Sequence, residues 1–292
     1  MTSQPTETYR GRFAPSPTGP LHLGSAVAAI ASWLDARAHG GQWLVRIDDV
    51  DTTRAVAGAD QQILAELARL GLMPDAPVVY QSERSAIYDK AIDDLQARAS
   101  AFECGCSRRD VGAGAYPGTC RFGLAPGVKA RSVRAVVDAV PVKFIDRLAD
   151  KQSSDLEKLT GAFVIKRADG LAAYHLACAL DDHDARVTHV VRGADLLPST
   201  HAQIHLQRLL GIPTPAYLHV PVVNDALGQK LSKQTHAAPS ASLPASSIWQ
   251  FACEFLGVLK TGELVQAPIK NYKLLGEARW LDAIAKPTRS NQ

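Results

Sequence analysis

A chain of 292 residues with 46% hydrophobic and 21% charged residues carries enough apolar surface for one large domain or two modest ones, which excludes a disordered chain and a small stapled scaffold. Its 32 Lys and Arg against 29 Asp and Glu leave a net charge of +3, a balance that permits a nucleic-acid partner without demonstrating one. No stretch approaches the ~20 apolar residues of a membrane span, the first eight residues are polar, and the five cysteines are odd in number; the expectation is a cytoplasmic protein with no membrane association and no disulfide framework.

Tyr9 to Phe13 reads as a strand that breaks at Ala14-Pro15-Ser16-Pro17. Leu23, Val27, Ile30 and Leu34 then recur with helical spacing up to Gly40-Gly41. Gln42 to Ile47 predicts a second strand ending at Asp48-Asp49-Val50-Asp51, and Ile63, Leu64, Leu67 and Leu70 a helix stopped by Gly71. Tyr88 to Ala99 is a further helix. This alternation predicts an α/β fold with a parallel, Rossmann-like sheet. From Ala101 the texture turns to Gly, Pro, Arg and short β-like runs such as Arg134 to Phe144, so 101–170 is expected to be an insertion between a first half, 1–100, and a second half, 171–237. In the second half Ala172 to Leu180 and Val187 to Val191 read as buried strands, Ser199 to Leu210 as a helix, and Tyr217 to Val223 as a strand. Residues 238–292 are expected to form a short helical piece, with Ile248, Phe251, Ala252 and Phe255 at helical spacing.

Chemistry gathers at the first strand-to-helix junction, Arg12 to Ser25, because ligands of open α/β sheets sit at the carboxyl ends of the strands. A helix N-terminus offers unpaired N–H groups and partial positive charge to a phosphate, Gly24 lets a nucleotide approach the backbone, and His22 can donate to a phosphate oxygen. A second basic element, Lys230-Leu231-Ser232-Lys233-Gln234, follows the last strand. Cys104, Cys106 and Cys120 lie close together in a Gly-rich stretch, one thiolate short of a closed tetrahedral zinc site, so reduced structural cysteines and a metal site both stand as readings. Cys178 and Cys253 fall in apolar strand and helix patterns and read as buried.

His22-Leu23-Gly24-Ser25 and Lys230-Leu231-Ser232-Lys233-Gln234 resemble the two signature motifs of the class I aminoacyl-tRNA synthetases. Arg12 to Gly19, Arg46 to Arg54 and Val191 to Leu197 are similar to the glutamyl branch. The short stretch after Gln234 resembles truncated members of that branch, which attach glutamate to the queuosine base of tRNA(Asp). The resemblance implies ATP, accompanied by Mg²⁺, L-glutamate and queuosine-containing tRNA(Asp) as partners, with no obligate protein partner. It assigns His22, Lys230 and Lys233 to catalysis, and His22, Gly24, Ser25 and Lys233 to ATP. Arg12, Phe13, Ala14, Pro15, Ser16, Asp48, Tyr174 and Arg192 would bind glutamate, with Asp48 taking the ammonium and Arg192 the side-chain carboxylate. One structural Zn²⁺ would be held by Cys104, Cys106, Tyr116 and Cys120. The family usually has Glu at the position of Asp48. A minimal synthetase charging a tRNA 3′ end, and a silent RNA-binding paralogue, remain the alternatives.

Overall fold

The computed structural model describes residues 8–224 and 239–285. The opening segment forms β1 (Arg10–Phe13), α1 (Leu23–Ala38), β2 (Gln42–Ile47), α2 (Ala59–Arg69), β3 (Val79–Tyr80) and α3 (Ser85–Ala97). β1, β2 and β3 lie side by side in parallel. Trp43, Val45 and Ile47 alternate along one face of β2 and are all buried there, while Arg46 is buried on the other face.

β4 (Ala101–Cys104), α4 (Arg108–Val111), β5 (Ser132–Ala135), β6 (Val142–Asp146), β7 (Asp150–Ser154), α5 (Leu156–Leu159) and β8 (Val164–Lys166) follow. Arg134 to Phe144 is therefore two strands rather than one run, and they part company. β4, β5 and β8 make an antiparallel sheet of their own, whereas β6 pairs in parallel with β10 (Ala216–Val220) and carries β7 at its edge. β10 in turn pairs with β9 (His189–Gly193). Arg10 joins the two parallel layers, its N–H donating to Thr188 Oγ1 at 2.9 Å while its carbonyl accepts from the Thr188 N–H at 3.0 Å. The two layers thus form one split sheet whose seam runs between β1 and β9.

Ala172 to Leu180 is not a strand. It enters α6 (Tyr174–Asp184), which pairs with α7 (Leu197–Leu210) across a shared core of Leu176, Ala177, Leu180 and Leu206. The stretch is rich in Ala and Leu and poor in β-branched residues, which favours helix, and burial from Leu176 through Asp182 removes the amphipathic stripe that would have marked it.

α8 (Ala245–Phe255) and α9 (Ile269–Ala285) close on α1. Trp249 and Trp280 are fully buried, and their indole N–H groups donate to Leu70 O at 2.9 Å and Asp35 Oδ1 at 2.7 Å. At Gly276 a Cβ would meet Leu34 Cδ2 at 2.7 Å, so the two helices touch through a position where only glycine fits. The C-terminal segment shares the core of the parallel sheet.

Candidate active site

Proline residues at 15 and 17 keep the β1–α1 connection extended, and the neighbouring loop locks it: Asp48 N–H donates to Pro15 O and Val56 N–H to Pro17 O, both at 2.9 Å. α1 begins with His22 as its N-cap. His22 Nδ1 accepts from the Ser25 N–H at 3.2 Å, which leaves the ring proton on Nε2, 3.0 Å from Ser25 Oγ. Ser25 thus orients His22 through both its backbone and its hydroxyl. A cavity of about 460 Å³ opens over this helix end. Its wall includes Arg12, Phe13, Ala14, Pro15 and Ser16 from the first junction, His22, Gly24 and Ser25 from α1, and Asp48, Tyr174 and Arg192 from the rest of the chain.

Arg192 is clamped. Nε donates to His219 Nε2 at 3.1 Å, and one terminal nitrogen, NH2, donates to Thr200 Oγ1 at 2.6 Å and Gln203 Oε1 at 2.8 Å. His219 Nδ1 is 2.6 Å from Asp146 Oδ2, and both side chains are inaccessible to solvent. Burial holds the imidazole below its ordinary pKa although Asp146 opposes this, so neutral His219 donates from Nδ1 and accepts at Nε2. The other terminal nitrogen of Arg192, NH1, is buried and has no partner among the described residues. A planar guanidinium with every group committed except one is a receptor for a carboxylate oxygen.

On the opposite wall lies a buried charge network. Arg12 donates through Nε and NH2 to Asp182, both at 3.1 Å; Arg46 NH1 donates to Asp182 Oδ1 at 2.6 Å, and Arg46 Nε to Asp48 Oδ1 at 2.6 Å. The Cys178 thiol donates to Asp48 Oδ2 at 3.5 Å. Two guanidinium groups thus face Asp48 and Asp182, and a third buried carboxylate, Asp181, lies 3.7 Å from Arg46 Nε. Burial opposes ionisation of Asp182, yet Arg12 and Arg46 bring it down to about 2, whereas burial prevails at Asp48 and raises it. Asp48 is not a free anion: any ammonium that reaches it shares it with Arg46.

The cysteine cluster lies in the antiparallel module. The sulfurs of Cys104, Cys106 and Cys120 all fall within 4.8 Å of one another, and Cys106 and Cys120 stand 3.7 Å apart. Tyr116 Oη is 3.4 Å from Cys104 Sγ and 3.9 Å from Cys106 Sγ. Zn–S bonds of about 2.3 Å give a tetrahedral edge of about 3.8 Å, so the donors present fit Zn²⁺. Gly105 is required between the first two, because a Cβ there would sit 2.3 Å from Val128 Cγ1. Arg134 Nε donates to Cys104 Sγ at 3.2 Å, and with Tyr116 it outweighs burial to bring that thiol down to about 7, toward the thiolate a metal needs.

Residues 8–112 and 126–242 match the catalytic domain of the class I tRNA synthetases (E and Q). The glutamyl-Q tRNA(Asp) synthetase of Burkholderia orbicola is 54% identical over 271 residues, covering 88% of this chain and 90% of that protein. The protein of the same name from Cupriavidus metallidurans is 48% identical over 294 residues, covering 96% and 93%. The chain belongs to the glutamyl-Q tRNA(Asp) synthetase family of class I tRNA synthetases. Among solved structures, the glutamate-tRNA synthetase of Elizabethkingia anophelis superposes with a TM-score of 0.75 at 25% identity; 96% of this chain covers 66% of that one. A glutamate tRNA ligase of Elizabethkingia meningosepticum, solved with its amino acid, gives 0.74 at 26% identity, with 96% and 64% covered. The chain therefore spans just under two thirds of those two proteins.

In this synthetase one cavity gathers all eight residues expected to bind glutamate, together with His22, Gly24 and Ser25. Tyr174 arrives from the first turn of α6 rather than from a strand, and Cys178, one turn on, is buried but lines the same cavity. Lys230 and Lys233 lie outside the described residues. Their described flanks both reach the site: Val222 and Val223 line the cavity, and Pro239 pairs with His22. Not foreseen from sequence were Asp146, His219, Thr200 and Gln203 behind Arg192, and Arg46 and Asp182 behind Arg12. A histidine inside the otherwise apolar run Tyr217 to Val220, and a buried aspartate at the end of the strand Val142 to Asp146, were the available signal.

Proposed function

We propose that this synthetase activates L-glutamate with ATP and transfers it to the queuosine base of tRNA(Asp), a reading that the name of its relatives, glutamyl-Q tRNA(Asp) synthetase, supports. The observation that carries the amino-acid specificity is Arg192, which lines the cavity and whose buried NH1 has no partner among the described residues. It suits the side-chain carboxylate, while Asp48, shared with Arg46, takes the ammonium, and Arg12, Ser16 and Tyr174 complete the pocket.

No general base is needed for the first step, because the α-carboxylate is already an anion at neutral pH. Its oxygen attacks the α-phosphorus of ATP, the bond to the bridging oxygen breaks, and pyrophosphate leaves. Alignment and neutralisation of phosphate charge lower the barrier. The α1 N-terminus, with His22 at its cap, and Lys230 and Lys233 of the second motif would supply that neutralisation, to which Mg²⁺ accompanying ATP would add. In the second step a hydroxyl of queuosine attacks the adenylate carbonyl and AMP departs. Cys104, Cys106, Tyr116 and Cys120 would hold a Zn²⁺ whose part would be to fasten the antiparallel module.

The test is ATP–pyrophosphate exchange in the absence of RNA. Glutamate should support exchange far better than aspartate or glutamine, and Arg192→Ala should lower kcat/KM by roughly 10²-fold, the loss of one charged contact to a desolvated carboxylate. Exchange indifferent to Arg192 would remove it from the pocket.

A further inference from the structure

Beside the glutamate cavity lies a small cleft of about 40 Å³. Ser16, Thr18, Asp48 and Tyr174 line both, so the cleft opens from the cavity at the carboxylate expected to meet the ammonium. Its size suits a small polar group such as an ammonium head and excludes a side chain or a nucleotide. Gln81 lines this cleft and not the larger cavity. It opens the 3₁₀ turn Gln81–Arg84 between β3 and α3 and is fully buried. Asp181 sets which way its amide faces. An ionised carboxylate can only accept, so Gln81 turns Nε2 toward it and donates to Asp181 Oδ2 at 2.7 Å. Asp181 is anchored in turn by Arg84 Nε at 2.6 Å and by the Tyr88 hydroxyl at 2.8 Å, and a flipped amide would set its carbonyl against that carboxylate. The consequence falls on Gln81 Oε1, which is buried and has no partner among the described residues. A buried acceptor without a donor costs stability, so the fold retains it for a donor that arrives with the substrate.

Asp48 cannot serve an ammonium alone. Its Oδ1 accepts from Arg46 Nε at 2.6 Å, and its Oδ2 from Arg46 NH2 at 3.4 Å and from the Cys178 thiol at 3.5 Å. A carboxylate has about four acceptor sites, so with these engaged it has room for one N–H of a group that carries three. We propose that Gln81 is a specificity-determining residue for the amino acid: its Oε1 accepts a second N–H of the α-ammonium beside Asp48, and Asp181 holds the amide with that end toward the substrate. The proposal rests on the reading of the cavity as a glutamate site and adds the residue by which the site tells an amino acid from the corresponding dicarboxylic acid. A neutral acceptor suits the place, because another carboxylate there would compete with Asp48 for Arg46.

Glutarate is the probe, since it keeps both carboxylates and the chain length of glutamate and lacks the ammonium. In ATP–pyrophosphate exchange with the full chain, the KM for L-glutamate and the inhibition constant of glutarate are measured side by side. Gln81→Met, close in size and without an amide, should raise the KM for glutamate about tenfold, the loss of one hydrogen bond to a charged group, while the glutarate constant stays within about twofold. Gln81→Glu can share a proton with Asp181 and still present an oxygen, so it should keep most of the preference for glutamate. Both constants rising together in Gln81→Met would reveal a structural role and overturn the proposal. It would equally fall if neither constant moved, since the amide would then face water alone, or if Gln81→Glu lost the preference. Wild-type protein without glutamate-dependent exchange would overturn the reading of the cavity and this proposal with it.

Discussion

His219 holds Arg192 at a fixed angle: its Nε2 accepts the Nε–H of the guanidinium at 3.1 Å while Asp146 secures the far side of the ring. An arginine restrained on two sides arrives at the cavity with little side-chain entropy left to lose on binding a carboxylate.

His219→Phe should therefore raise the KM for glutamate roughly tenfold, since the neutral ring acceptor is lost, with a smaller change in kcat. The pH profile separates positioning from packing. Because burial depresses its pKa, His219 stays neutral below the ordinary imidazole value of about 6.5, so the wild-type KM should be flat from neutral pH down past that value and rise only at lower pH. Protonation would convert Nε2 from acceptor to donor and set it against Arg192. A wild-type KM that climbs through pH 6.5 would contradict this account.

The paired aspartates give opposite predictions. Asp182→Asn leaves Arg12 and Arg46 short of one buried counter-charge and should destabilise the protein by about 3 to 5 kcal/mol, read by urea denaturation. In the wild type the contribution of Asp182 is present above the ordinary carboxylate value near 4 and is lost as pH falls toward about 2, so the variant and wild type should converge in acid. Asp48→Ala should instead act on KM for glutamate, and Asp48→Glu tests the length of the side chain. If Asp48→Ala leaves the KM unchanged, Asp48 has no part in binding the ammonium.

Protein purified without added metal should contain near-stoichiometric zinc by elemental analysis. Cys120→Ser should lower the zinc content and the thermal stability, while Cys178→Ser, in the cavity lined by Arg12 and Arg192, should leave zinc in place. Zinc-free protein with an intact cysteine module would refute the assignment.

What the sequence displays well is whatever is local. The β1 turn into α1, β2 with its Asp48-Asp49 end, and the Cys104-Gly105-Cys106 element each write their structure within a few residues, because caps, prolines and ligand spacing act over one or two turns. What it conceals is set by topology. Asp182 meets Arg12 across 170 positions, and Asp146 meets His219 across 73. Neither pair has a spacing signature, and buried polar residues in apolar strands look like defects until their partners are in view. α6 was hidden for another reason: burial from Leu176 through Asp182 leaves no polar stripe, so the helical period is lost although its Ala and Leu favour helix. α8 shows in the sequence as helical spacing and α9 does not, and the docking of both on α1 depends on Trp249, Trp280 and Gly276 meeting residues far earlier in the chain.

The acceptor decides the central claim. Wild-type protein should be incubated with radiolabelled glutamate, ATP and total tRNA from queuosine-proficient and queuosine-deficient cells, and the labelled RNA cut with nuclease and mapped. Label on the anticodon fragment of tRNA(Asp), present only when queuosine is, is the expected result. Label on the 3′-terminal adenosine of tRNA(Glu), independent of queuosine, would contradict the account and make the protein a minimal glutamyl-tRNA synthetase.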